Sequence, residues 1–110
     1  MARMGGFPGG GNMQNLIRQA QKMQQQMQEA QEQLAESEVT ATAGGGMVEM
    51  VMDGSKKLVS ITIKPEVVDA DDVATLEDLI MACYNDAIDK VDELTKEIMG
   101  PFAQMGGGMF

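Results

Sequence analysis

Between Met13 and Leu34 the apolar residues fall at 13, 16, 20, 23, 27, 30 and 34, alternating steps of three and four that hold one seam through three heptads. Such spacing specifies a long helix, expected from Asn12 to about Glu36 and about 37 Å long at 1.5 Å per residue. With Met13 at position a, the a sites are Met13, Ala20, Met27 and Leu34, and the d sites are Leu16, Met23 and Ala30. The flanking e and g sites are mostly glutamine (Gln19, Gln24, Gln26, Gln31, Gln33), so charge does not choose the partner and the seam itself must. A stripe this narrow buries too little area to hold the helix on a core alone, so it is expected to pack against one other helix.

After this helix the pattern changes to alternation. Glu38 to Ala43, Met47 to Met52 and Lys57 to Ile63 read as three strands of an antiparallel meander, joined through Gly44-Gly45-Gly46 and Asp53-Gly54-Ser55. Asp-Gly supplies the left-handed residues that a tight hairpin turn uses, and the triple glycine predicts a looser one. Val48, Met50 and Met52 share one face, as do Val59, Ile61 and Ile63, and that face is the expected core. Pro65 ends the last strand. Asp69, Asp71 and Asp72 offer N-caps to a second helix with apolar positions from Val73 to Ile98, stopped by Gly100-Pro101. The expected fold is α+β, helix, three strands, helix, within one domain over residues 12–99. Gly-rich tails at 1–11 and 100–110 are expected to be poorly ordered.

A chain of 110 residues buries only about two-thirds of its unfolded surface, so a projecting helix and open sheet edges both point to a dimer. The chain has no histidine and one cysteine, Cys83, which removes most transition-metal sites, Ser-His and Cys-His catalysis and any intrachain disulfide. An enzyme, a cofactor and a small-molecule substrate are therefore not expected. Cys83 sits on the apolar stripe of the second helix and reads as core. The glycine clusters lack the pattern of a phosphate-binding loop, and the Asp69, Asp71, Asp72 cluster lacks the later Gly and Glu of a calcium loop. The longest apolar run, Leu79 to Cys83, is too short to span a bilayer, and no apolar signal core opens the chain, so a cytoplasmic location is expected.

The net charge is -9, unevenly spread: residues 1–28 carry +3, 29–38 carry -4, 39–65 carry +1 and 66–110 carry -9. An acidic total argues against a simple nucleic-acid coat without excluding a local basic patch. On the first helix, positions c hold Lys22, Glu29 and Glu36, and positions f hold Arg18, Gln25 and Glu32, so one outer face runs from basic to acidic. That order opposes the helix dipole, and folding does not require it, although solvated charges at an exposed end tolerate it easily. Arg18 and Lys22, with Arg3 on the amino-terminal tail and glutamines around them, are the candidate contacts to a polyanion. Lys56 and Lys57 at the second hairpin are further candidates, or plain edge protection.

Several segments then occur in a familiar order. A Gly-rich start ends in Asn12-Met13 and leads into the Gln/Met helix. Gly45-Gly46-Met47-Val48 precedes the turn Asp53-Gly54. Ile63-Lys64-Pro65-Glu66-Val67-Val68, Leu76-Glu77-Asp78-Leu79-Ile80 and Asn85-Asp86-Ala87 follow. In these segments, spread over residues 12–100, the chain resembles the YbaB/EbfC family of bacterial nucleoid-associated proteins. The resemblance implies a homodimer whose sheets meet at the centre while helices project like tweezers. It also implies duplex DNA as partner, bound with little sequence preference, and effects on nucleoid organisation and gene expression. Other readings that the residues leave open are a small adaptor or holdase gripping apolar segments with Met-lined helices, and an acidic DNA mimic.

Overall fold

The computed structural model describes residues 9–103, with side chains from Met13 to Phe102; Arg3 and most of both expected tails lie outside the described residues. Helix α1 (Gly9–Glu36) leads into β1 (Glu38–Ala43), β2 (Val48–Asp53) and β3 (Leu58–Ile63). A short 3-10 turn, Pro65–Val67, and helix α2 (Val73–Ala103) complete the chain. The fold is α+β, with an antiparallel sheet in the order β1-β2-β3. Helix is present three residues before the expected start at Asn12, and α2 runs through Gly100-Pro101 to Ala103 instead of stopping there. Pro101 falls in the final turn, where half-buried Ile98, Met99 and Phe102 favour continuing the helix.

One face of the sheet forms the core. Ala41 pairs with Met50, Val39 with Met52 and Ala43 with Val48, which places the apolar residues of β1 and β2 side by side. Helix α2 lies over these two strands, and Cys83, Ala87 and Val91 meet Ala41, Val48, Met50 and Met52 in a fully buried cluster. The Cys83 thiol donates to the Ala41 carbonyl at 3.3 Å, and burial pushes its pKa up, so it is a core residue as its position on the stripe suggested. Asp72 caps α2: its Oδ1 accepts the Thr75 N–H at 3.3 Å and its Oδ2 accepts the Thr75 hydroxyl at 2.6 Å.

The third strand departs from expectation. Ile63 reaches the core, but Ile61 is 46% exposed and Val59 52% exposed. The reason is coverage: α2 spans β1 and β2 and leaves β3 as an uncovered outer strand. A bulge adds to the change, since Val51 pairs with Ser60 but Met52 with Leu58, making Val59 the extra residue and bringing Leu58 opposite Met52.

The two turns differ in how they use glycine. Gly44, Gly45 and Gly46 are all left-handed, at φ 63, 66 and 93°, a run that side chains with a Cβ resist. In the second hairpin the left-handed residue is Lys56 (φ 69°), not Gly54. Gly54 answers a different need: a Cβ there would fall onto the Leu34 carbonyl, 2.5 Å from its carbon, because the hairpin tip rests on the end of α1. The Gly54 N–H donates to the Ser37 carbonyl at 3.0 Å, and Ser37 in turn donates through N–H and hydroxyl to Leu34 and Gln33.

Asp53 ties this hairpin together. Its Oδ1 accepts from the Ser55 hydroxyl at 2.7 Å, the Ser55 N–H at 2.9 Å and the Lys57 N–H at 3.0 Å. The Ser55 hydroxyl above all, then the Lys57 N–H, hold its carboxyl below the ordinary value of 3.8. A depressed carboxyl pKa stabilises the fold above the unfolded value and loses that contribution as pH falls through the folded one. The stability advantage of wild type over Asp53→Asn, measured by denaturant melts, should therefore hold from neutral pH down to about 4 and shrink below it. An advantage that grew on acidification would contradict this role.

Candidate nucleic-acid interface

The molecule is elongated, 87 × 22 × 16 Å, with a radius of gyration of 23.2 Å where a compact domain of this length has about 13 Å. The length comes from the helices. Helices α1 and α2 lie against each other, and only the inner half of the heptad seam loses solvent there. Ala30 is buried, and Met23, Met27 and Leu34 are half-buried. Outward of them the seam is bare: Met13 and Leu16 are each 59% exposed, and Ala20 is exposed as well. Ile17, at an e position outside the seam as read from spacing, is exposed beside them.

Arg18 and Lys22 sit on this outer half of α1, both exposed. Among the described residues the ion pairs are Lys56 with Asp92 (2.9 Å) and Lys90 with Asp86 (3.5 Å), so neither Arg18 nor Lys22 is neutralised. Glutamines surround them; Gln21, Gln24, Gln25, Gln28 and Gln31 line a shallow open depression with Met27. Guanidinium and ammonium groups flanked by amides can contact phosphate and sugar without reading bases.

Lys56 and Lys57 do not join them. They stand at the hairpin tip near Leu34, which is about 18 Å along α1 from Lys22 and about 24 Å from Arg18 at 1.5 Å per residue. Exposed Glu29 and Glu32 lie between, and exposed Glu36 stands just past Leu34. Lys56 is also committed to Asp92, whereas Lys57 is exposed with only its backbone engaged. The five candidates thus separate into an outer pair on α1, a second pair at the hairpin, and Arg3 beyond the described residues.

Two features escaped the linear pattern. Lys90 reaches back from α2 to donate to the Thr40 carbonyl of outer strand β1 at 2.8 Å, a contact across fifty residues that no local spacing reveals. The other is the row Leu58, Val59 and Ile61, exposed on β3. Among the described residues no group of three His, Cys, Asp or Glu is placed to hold a metal ion, and no helix is long and apolar enough to cross a membrane.

Comparison with known proteins identifies the family. The YbaB/EbfC DNA-binding family matches residues 9–107. A nucleoid-associated protein of Agathobacter rectalis is 54% identical over the whole of both chains. One of Saccharopolyspora erythraea is 52% identical over 92% of this chain and 89% of its own. The crystal structure of an uncharacterised protein of Helicobacter pylori shares the fold at TM-score 0.67, with 23% identity over 79% of this chain and 91% of that one. With every described residue inside the family match and relatives at half identity along the full length, the chain belongs to the YbaB/EbfC DNA-binding family.

Proposed function

We propose that this protein works in the bacterial nucleoid as a homodimer that binds duplex DNA with little sequence preference, altering its organisation and, through that, gene expression. The observation that carries the reading is the unpaired, exposed Arg18 and Lys22 on a projecting helix in a chain whose net charge is otherwise strongly acidic. Dimerisation through β3 is supported by its exposed apolar row and by the contrast with β1, whose Thr40 carbonyl is already taken by Lys90. Joined there, two copies would project two α1 arms and give DNA twice the basic groups, the tweezer shape. Acidic α2, with exposed Asp89, Glu93 and Glu97, would face away from the duplex and limit affinity.

Reversing one charge tests the assignment. Lys22→Glu lies on an exposed helical face and should leave folding intact. It should weaken binding to a short duplex by roughly tenfold at low salt and flatten the log-log salt slope by about 0.9 for each phosphate that is no longer neutralised. Unchanged affinity in a folded variant would remove Lys22 from the interface. A second reading, an adaptor or holdase for apolar segments, draws on the exposed Met13, Leu16 and Met81; suppressed aggregation of a client without DNA affinity would favour it.

A further inference from the structure

Met13, Leu16 and Ala20, the outer half of the α1 seam, stay exposed where the inner half packs on α2. Met13 and Leu16, each 59% exposed, continue in unbroken heptad register the stripe that packs on α2 further along, and Ile17, 53% exposed, flanks them at an e position. A surface continuous with an existing helix-helix contact is shaped for another helix. We propose that it pairs with the same stripe of a second copy, joining one β3-linked dimer to another through the tips of their α1 arms.

Three observations favour a second copy over a foreign helix. The flanking e and g positions along the bare part are Ile17, Gln19 and Gln24, so no charge selects a different partner and none repels an identical one. An isologous contact needs only that one patch be complementary to itself, and a stripe of Met, Leu, Ile and Ala meets that condition through the adaptable packing of methionine. Arg18 and Lys22 occupy positions f and c, on the side of α1 away from the seam, so pairing buries neither. Resting on the reading of those two residues as DNA contacts, the consequence is mechanical: paired tips would hold two duplexes together, each still gripped by its own dimer. The stripe is short, so pairing should be weak for free protein and strengthened where DNA concentrates the dimers.

Sedimentation equilibrium of the full chain without DNA tests the pairing alone. Wild type should rise with concentration from a dimer to twice that mass and beyond, since each dimer carries two arms, and Leu16→Glu with Ile17→Glu should need at least about tenfold more protein to do so. Because both positions are exposed, circular dichroism should show an intact fold; Leu16→Gln with Ile17→Gln provides a milder check. Affinity for a single short duplex should be unchanged in the glutamine variant, which adds no charge beside Arg18, while co-sedimentation of two labelled duplexes should disappear in both. A wild-type mass that never exceeds the dimer, or a variant that associates equally well, would overturn the proposal. So would a glutamine variant with weakened short-duplex affinity, since the stripe would then be a DNA surface. Failure of wild type to bind any duplex would instead overturn the DNA reading and leave the sedimentation result standing.

Discussion

Ile61→Glu should convert the protein into folded monomers. Ile61 is 46% exposed in the single chain and pairs across the sheet with Met50, at the margin of the core that α2 leaves uncovered. Within one chain a carboxylate there stays in water at little cost. In a dimer joined through β3 it would be buried without a partner, costing about 3 kcal/mol or more and weakening association roughly a hundredfold. Light scattering should report half the wild-type mass, with helix content retained. Ser60→Glu, one residue away and opposite Val51 on the polar face, should leave the mass unchanged. Equal effects of both would mean that the edge and not the apolar face is what matters, and no effect of either would place the dimer contact elsewhere.

Gly54→Ala should be the most destabilising single methyl in the chain. Its Cβ would fall on the Leu34 backbone carbonyl and 3.0 Å from the Leu34 side chain, and a backbone group cannot swing aside as a side-chain tip can. Relief requires the hairpin to lift from α1, breaking the 3.0 Å bond from the Gly54 N–H to Ser37. A cost of about 1–3 kcal/mol is typical of such overpacking. That corresponds to a melting temperature lower by roughly 10 °C for a domain of this size. Gly100→Ala is the matched control, since its Cβ meets nothing within 4 Å and the site is helical, so alanine there should be neutral or stabilising by up to about 1 kcal/mol. A Gly54→Ala protein as stable as wild type would mean that α1 and the hairpin are not locked together.

The elements themselves were legible because each is written in local periodicity. The β1 limits, Glu38 to Ala43, follow from alternation, and β2 and β3 each begin one residue later than their pattern suggests. Alternation also shows which residues share a face, but not whether a second layer covers that face. That is why Ile61 reads as core and stands half in water. Asp-Gly correctly marks a hairpin for a reason other than the one it suggests: Gly54 is needed for a close approach to Leu34, distant in sequence, while Lys56 takes the left-handed conformation. Charge order singles out Arg18 and Lys22, which α1 does present to solvent. It gives no measure of the Glu-bearing stretch that separates them from Lys56 and Lys57, nor of the Asp92 that pairs with Lys56. Contacts such as Lys90 to Thr40 depend on how α2 lies across β1, a tertiary fact that no spacing encodes.

The most direct test of DNA binding through phosphate contacts is fluorescence anisotropy of two unrelated labelled duplexes, titrated with the full chain from about 50 to 200 mM salt. Four to six phosphate contacts per dimer predict similar affinities for both duplexes and a log-log salt slope of roughly -4 to -5. No binding to either duplex at the lowest salt would contradict it, because the acidic charge of the chain would then outweigh the basic ends of α1.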